Sequence, residues 1–157
     1  MLSQNRTQFI IMLFKILLFS FLLYFPTSSQ FSLDCQADFP RGTYQILDEN
    51  SGQMRSEVEF YKKGNELRAR IKKLKSGYED AVCNKCPDNF NGKKLLGMDL
   101  IWDLKWDGNR WSGGRILDVD NGKIYSCRIN DFSDGAVTIR AYLGRPLFGE
   151  TLNWPLK

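Results

Sequence analysis

The chain has 157 residues, 43% hydrophobic and 25% charged, with 22 basic and 18 acidic side chains and no histidine. A net charge of +4 is too mild for a nucleic-acid surface. The absent imidazole excludes Ser-His-Asp and Cys-His catalysis, a histidine metal ligand and a near-neutral histidine base.

The first segment reads as an export signal rather than part of the fold. Arg6 and Lys15 stand in it without any acid, "ILLFSFLLYF" (Ile16 to Phe25) is apolar, and "PTSSQ" supplies small polar residues. Thr27 and Ser29 are the small residues expected before the cut, so 1–29 is assigned as signal peptide and the mature chain starts near Gln30. The apolar stretch from Phe9 is interrupted by Lys15, and the clean run falls short of the ~30 Å of hydrocarbon that a spanning helix crosses. No stable membrane insertion is expected after cleavage. Cys35 follows Asp34, an unfavourable neighbour for a lipidated cysteine. Cleavage leaves 20 basic against 18 acidic residues, enough chain for one domain with a core of its own. The expected organisation is a short N-terminal mature segment, 30–41, and a β-barrel domain, 42–157.

From Gly42 onward the hydrophobic pattern has period two, broken by Gly, Asn and Asp turns, and contains no convincing helix. "GTYQIL" (Gly42 to Leu47) is the first predicted strand. "MRSEVEFYK" and "ELRARIKK" form the clearest hairpin around Gly64-Asn65. In that register Lys63 faces Glu66, Tyr61 faces Arg68, Glu59 faces Arg70 and Glu57 faces Lys72. Phe60 meets Ala69 and Val58 meets Ile71 on the opposite face, so acid meets base and apolar meets apolar. The basic run Arg68 to Lys75 is then one solvated strand face.

Leu74 to Lys94 is a long loop holding Cys83 and Cys86. In "MDLIWDLKW", alternation places Leu100, Trp102, Leu104 and Trp106 on one face and Asp99, Ile101, Asp103 and Lys105 on the other. "RWSGGRIL" follows, with a bulge suspected at Gly113-Gly114 that leaves the direction of Arg115 open. "IYSCRI", "AVTIRAYL" and "ETLNW" complete about eight strands joined mostly by short turns. The prediction is an all-β, single antiparallel up-and-down barrel, because closure removes the edges of such a meander.

Candidate chemistry is sparse. Asp99, Asp103, Asp118 and Asp120 offer carboxylates, but no spacing pairs two of them as glycoside hydrolysis requires. "DVDNGK" (Asp118 to Lys123) has alternating oxygen ligands, yet lacks the length and final acid of an EF-hand loop, and a turn on Asn121-Gly122 explains it. Neither a metal site nor a cofactor is assigned.

Four cysteines in an exported chain read first as disulfides. Cys35, Cys83, Cys86 and Cys127 allow three connectivities. Cys83-x-x-Cys86 is a local staple, or one of the two is tied to Cys127. A redox-active pair is the alternative, although no helix pattern follows the motif to activate a thiol. A four-cysteine metal site is the third reading.

Tyr44, Trp102, Trp106 and Trp111 are the aromatics expected to line the barrel, either filling it or leaving room for a small ligand. Arg115 and Arg140 are the candidates for an organic-acid headgroup, if they point inward.

Several blocks in order resemble one bacterial family. They are Cys83-x-x-Cys86-Pro87, Trp111-x-Gly113-Gly114-x-Ile116-Leu117-Asp118, Asn121-Gly122-Lys123-x-Tyr125, and Gly144 to Gly149 followed by Thr151 and Trp154. From Gly42 to Trp154 the chain resembles domain-of-unknown-function family 2147. That resemblance implies a small exported bacterial protein with a lipocalin-like (calycin-type) barrel and carries no catalytic residues. Lipocalins also open with Gly-x-Trp under a late-strand arginine, parts that Gly42-Thr43-Tyr44 and Arg140 would play. The leading expectation is a non-enzymatic carrier or binding module for a small, partly apolar ligand, in a bacterial periplasm or outside the cell. A thiol-redox role at Cys83 and Cys86, and an envelope protein-interaction module with a filled barrel, are the alternatives.

Overall fold

A computed structural model describes residues 38–157. The expected signal peptide and Cys35 lie outside the described residues.

Among the described residues nine strands follow one another with one short helical turn. β1 spans Thr43–Leu47, β2 Met54–Lys63, β3 Glu66–Leu74, β4 Asp99–Trp106, β5 Trp111–Ser112, β6 Gly114–Leu117, β7 Ile124–Asp131, β8 Ala136–Tyr142 and β9 Gly149–Pro155. A three-residue 3-10 turn, Asp88–Phe90, interrupts the long β3–β4 loop. Every pairing is antiparallel, in the order β1-β2-β3-β4-β6-β7-β8-β9, with β5 attached to β4. The C-terminal end returns to β1: the Lys157 amide donates to the Thr43 carbonyl at 2.8 Å, and Leu156 bridges Tyr44. The result is the nearly closed eight-stranded barrel that the alternating pattern predicts.

The β2–β3 register follows from the charge pattern on its outer face. Lys63, Tyr61 and Glu59 pair with Glu66, Arg68 and Arg70, while Phe60 and Val58 meet Ala69 and Ile71 inside. One pair differs from expectation. Glu57 meets Lys73 rather than Lys72, because the ladder shifts between Glu57 and Val58. Glu57 is buried there and held by Lys157 Nζ at 3.1 Å, so the last residue of the chain also neutralises a covered carboxylate.

β4 corrects the sequence reading most. Ile101 pairs with Ala69 and Leu104 with Leu67, so three steps on β4 match two on β3. Asp103 takes the extra step at φ 61°, a left-handed conformation that Asp tolerates better than most side chains. A second irregularity lies between Ala69 and Arg70 in the same ladder. Strict alternation therefore fails. Ile101 and Leu104 are both fully buried in the core, whereas Trp102 belongs to a separate cluster around the cysteines.

One end of the barrel is a packed floor. Tyr44, Phe60 and Trp154 pack there, Tyr44 edge-on to Phe60 with ring centres 5.8 Å apart. Trp111 closes the floor from β5, and its indole donates to the Asp38 carbonyl at 2.7 Å. Lys62 Nζ lies over both the Trp111 and Phe39 rings, about 5.4 and 5.3 Å from their centres. The opposite end carries the β1–β2 turn, the long β3–β4 loop, the β6–β7 turn and the β8–β9 loop, and there the interior is open.

Candidate ligand site

The open end leads into a cavity of about 1130 Å³. Its walls come from strand positions facing inward, among them Ile71, Leu74, Leu100, Ile116, Leu152 and Trp154. Ser56 adds a buried hydroxyl and Tyr125 a phenol. Apolar walls with a few polar groups are the usual composition of a small-molecule site, and the volume suits a drug-sized or acyl-chain ligand.

A pair of charges ties the mouth together. Arg55 is the residue skipped when Leu47 pairs with Met54 and Ile46 with Ser56. It donates two hydrogen bonds of 2.7 Å to the two carboxylate oxygens of Asp120 in the β6–β7 turn. β2 and the β6–β7 turn stand on opposite sides of the strand order, so this bidentate pair crosses the opening. Arg55 holds the Asp120 carboxyl below its usual range, chiefly by those hydrogen bonds, against opposing desolvation. The depressed group keeps its charge above the ordinary carboxylate pKa, and the tie is lost as pH falls through the depressed value. Carboxyl NMR is expected to place the Asp120 midpoint below the ordinary ~3.9, and to return it to that range in Arg55→Gln.

The six residues singled out from sequence are not brought together in this cavity. Tyr44 and Trp111 build the floor. Trp102 packs outside the wall against Phe90, with ring centres 5.3 Å apart. Trp106 is partly exposed and lies edge-on to Trp111. Arg115 pairs with Trp102 across β6 and β4 and is solvent-exposed. Arg140 does not cover Tyr44; its guanidinium donates to the carbonyls of Pro146 and Leu147 and to Thr151 Oγ1. Arg115 and Arg140 both fall on the outward parity of their strands. Arg55 is the arginine at the mouth, and its place on a bulge hides it from strict alternation.

The carboxylates do not converge either. Asp99 accepts from Tyr61 and Arg68 on the outer face. Asp118 accepts the amides of Asp120 and Asn121 in its own turn. Among the described residues no group of three potential metal-binding side chains is found.

Cys83 and Cys86 form a disulfide with each other. Of the connectivities open in the sequence, a link from this pair to Cys127 is thereby excluded. Both sulfur residues are buried with Met98 and Leu117, beside Phe90, Trp102, Val119 and Ile124. The bond is a covered staple that seats the loop on the outside of the wall. Cys127 has no disulfide partner among the described residues and is fully buried in the barrel core. Burial pushes its thiol up to about 12, so it stays protonated at neutral pH. In folded protein the Cys127 peptide is expected to resist iodoacetamide for hours and to alkylate within minutes in denaturant; rapid native labelling would contradict its burial.

The architecture is shared with a solved structure. Protein HP1028 from the human pathogen Helicobacter pylori, described as belonging to the lipocalin family, superposes with a TM-score of 0.66 at 21% identity, over 77% of this chain and 84% of that one. At this identity the likeness concerns the fold. No curated protein matches the sequence. Residues 42–155 match the model of the family described as uncharacterized protein conserved in bacteria, DUF2147. Together with the lipocalin-like barrel, that match over most of the chain establishes that this protein belongs to domain-of-unknown-function family 2147.

Proposed function

We propose that the protein is a non-enzymatic carrier or binding module for a small, partly apolar ligand held inside the barrel. The observation that carries this reading is the cavity of about 1130 Å³, apolar in its depth and open at one end. A ligand with an apolar body would displace water from Ile71, Leu100 and Ile116 and leave its polar end at the Arg55–Asp120 tie. An acidic headgroup meets a specific obstacle, because Asp120 already occupies Arg55. Export belongs to the same proposal. It is supported by the layout of residues 1–29 and by the disulfide, a bond favoured in oxidising compartments.

The test is fluorescence titration of the folded chain with an anilinonaphthalene sulfonate probe, followed by displacement with alkyl alcohols, amines and carboxylates of graded length. Saturable one-to-one binding, tightening with chain length, is the expected result. Absence of saturable binding, or affinity indifferent to chain length, would remove the carrier reading.

A further inference from the structure

The β8–β9 loop presents an apolar surface to solvent, and one of its three large side chains, Leu147, lies outside the cavity lining. Leu143, Leu147 and Phe148 are 60, 79 and 70% exposed within six residues. They are presented by a bonded scaffold. The Arg145 amide donates to the Leu143 carbonyl at 2.9 Å and the Phe148 amide to the Arg145 carbonyl at 3.0 Å. Arg140 grips the carbonyls of Pro146 and Leu147 from below, at 2.9 and 3.2 Å.

The outer wall beneath this loop is cationic. Arg128 and Arg140 are direct partners across β7 and β8. Like charges placed opposite one another are unfavourable, and among the described residues neither has a carboxylate within salt-bridge distance. Arg128 Nε donates to Asn130 Oδ1, and its other donors have no partner among the described residues. Arg128, Asn130, Arg140, Pro146, Leu147 and Thr151 surround a concavity of about 370 Å³, and Arg145 stands exposed in the loop above.

We propose that this loop and wall dock on an anionic phospholipid surface, with Leu147 and Phe148 entering the acyl layer, Arg128 donating to headgroup phosphate, and Arg140 adding positive charge while its nitrogens hold the loop. A guanidinium matches phosphate oxygens, and apolar side chains beside basic ones are what an interfacial segment requires. A second copy of the chain fits less well, since it brings the same arginines. Of the acids at this end, Asp48, Glu49, Asp118, Asp120 and Glu150 line the cavity, while Glu79, Asp80 and Asp88 stand in the β3–β4 loop; Asp120 is paired with Arg55 and Asp80 with Lys94. Leu143 and Phe148 also line the cavity, so docking puts the opening beside the acyl layer. The proposal stands without the carrier reading, because neither arginine contributes to the cavity.

Leu147→Trp in the full chain gives a local reporter, exposed in the loop and outside the cavity lining. It is titrated with vesicles of phosphatidylglycerol or phosphatidylcholine, with and without brominated acyl chains, alongside the unsubstituted protein. The expected result is a blue shift and bromine quenching of the introduced indole on phosphatidylglycerol, at least tenfold weaker binding to phosphatidylcholine, and at least threefold weaker binding after Arg128→Gln. Equal response to both lipids would overturn the arginine assignment. No quenching by either lipid, or a blue shift arising from self-association without vesicles, would overturn the docking site itself.

Discussion

Gly122→Val is expected to lower the stability of the folded chain by more than ~2 kcal/mol and to release the disulfide-bearing loop from the barrel. Gly122 sits in the β6–β7 turn at φ 73°, where a side chain costs roughly 1–2 kcal/mol by itself. The larger effect is steric. A Cβ at this position would overlap the backbone carbonyl of Lys85, inside the Cys83–Cys86 loop. A covalently closed loop of backbone has little freedom to retreat, so the turn or the loop must lift. Cys83 and Cys86 would then lose their cover from Val119 and Leu117. Gly64→Ala is the control: its φ is 61°, but nothing lies within 4 Å of the added carbon, and only the conformational part of roughly 1–2 kcal/mol is expected. Urea denaturation of the two variants separates these contributions. Reduction by dithiothreitol reports on loop release, which should be faster in Gly122→Val and unchanged in Gly64→Ala. Equal destabilisation of both variants would mean that the loop does not rest on this turn.

Ala141→Phe is expected to reduce binding of an apolar probe at least tenfold while the chain stays folded. Ala141 lies on β8, opposite Cys127, and its side chain faces the cavity. A phenyl group there fills ligand space between the walls. Overpacking of a full core typically costs 1–3 kcal/mol, but this site borders empty volume, so the loss of stability should fall at the low end. The diagnostic pattern is lost binding with a nearly unchanged denaturation midpoint. Unchanged binding would place the probe elsewhere on the molecule.

The features legible in the sequence are those with redundant local signals. In the β2–β3 hairpin, apolar pairing on one face and charge pairing on the other specify the same register, and only the bulge at Glu57 escaped. The barrel itself followed from alternating strands and short turns. The site was poorly legible because it depends on parity and on long-range geometry. Two ladder breaks in β4, one between Asp99 and Ile101 and one at left-handed Asp103, put Leu100, Ile101 and Leu104 all inside and send Trp102 outside the wall. Arg55 reaches the mouth from a skipped ladder position and finds its partner 65 residues away. No periodicity contains that information. The cysteine pairing was open in sequence because three connectivities satisfy the same composition. Folding decides it by carrying Cys127 into the core, away from the Cys83–Cys86 loop.

The central claim is that the open end of this barrel holds a ligand. Native mass spectrometry of the protein, recovered without detergent or organic solvent, tests it most directly. The account predicts a population carrying one added small-molecule mass, absent from Ala141→Phe prepared in the same way and restored to the parent chain by an apolar extract of the host. A bare mass in both proteins, with no adduct after exposure to that extract, would contradict it.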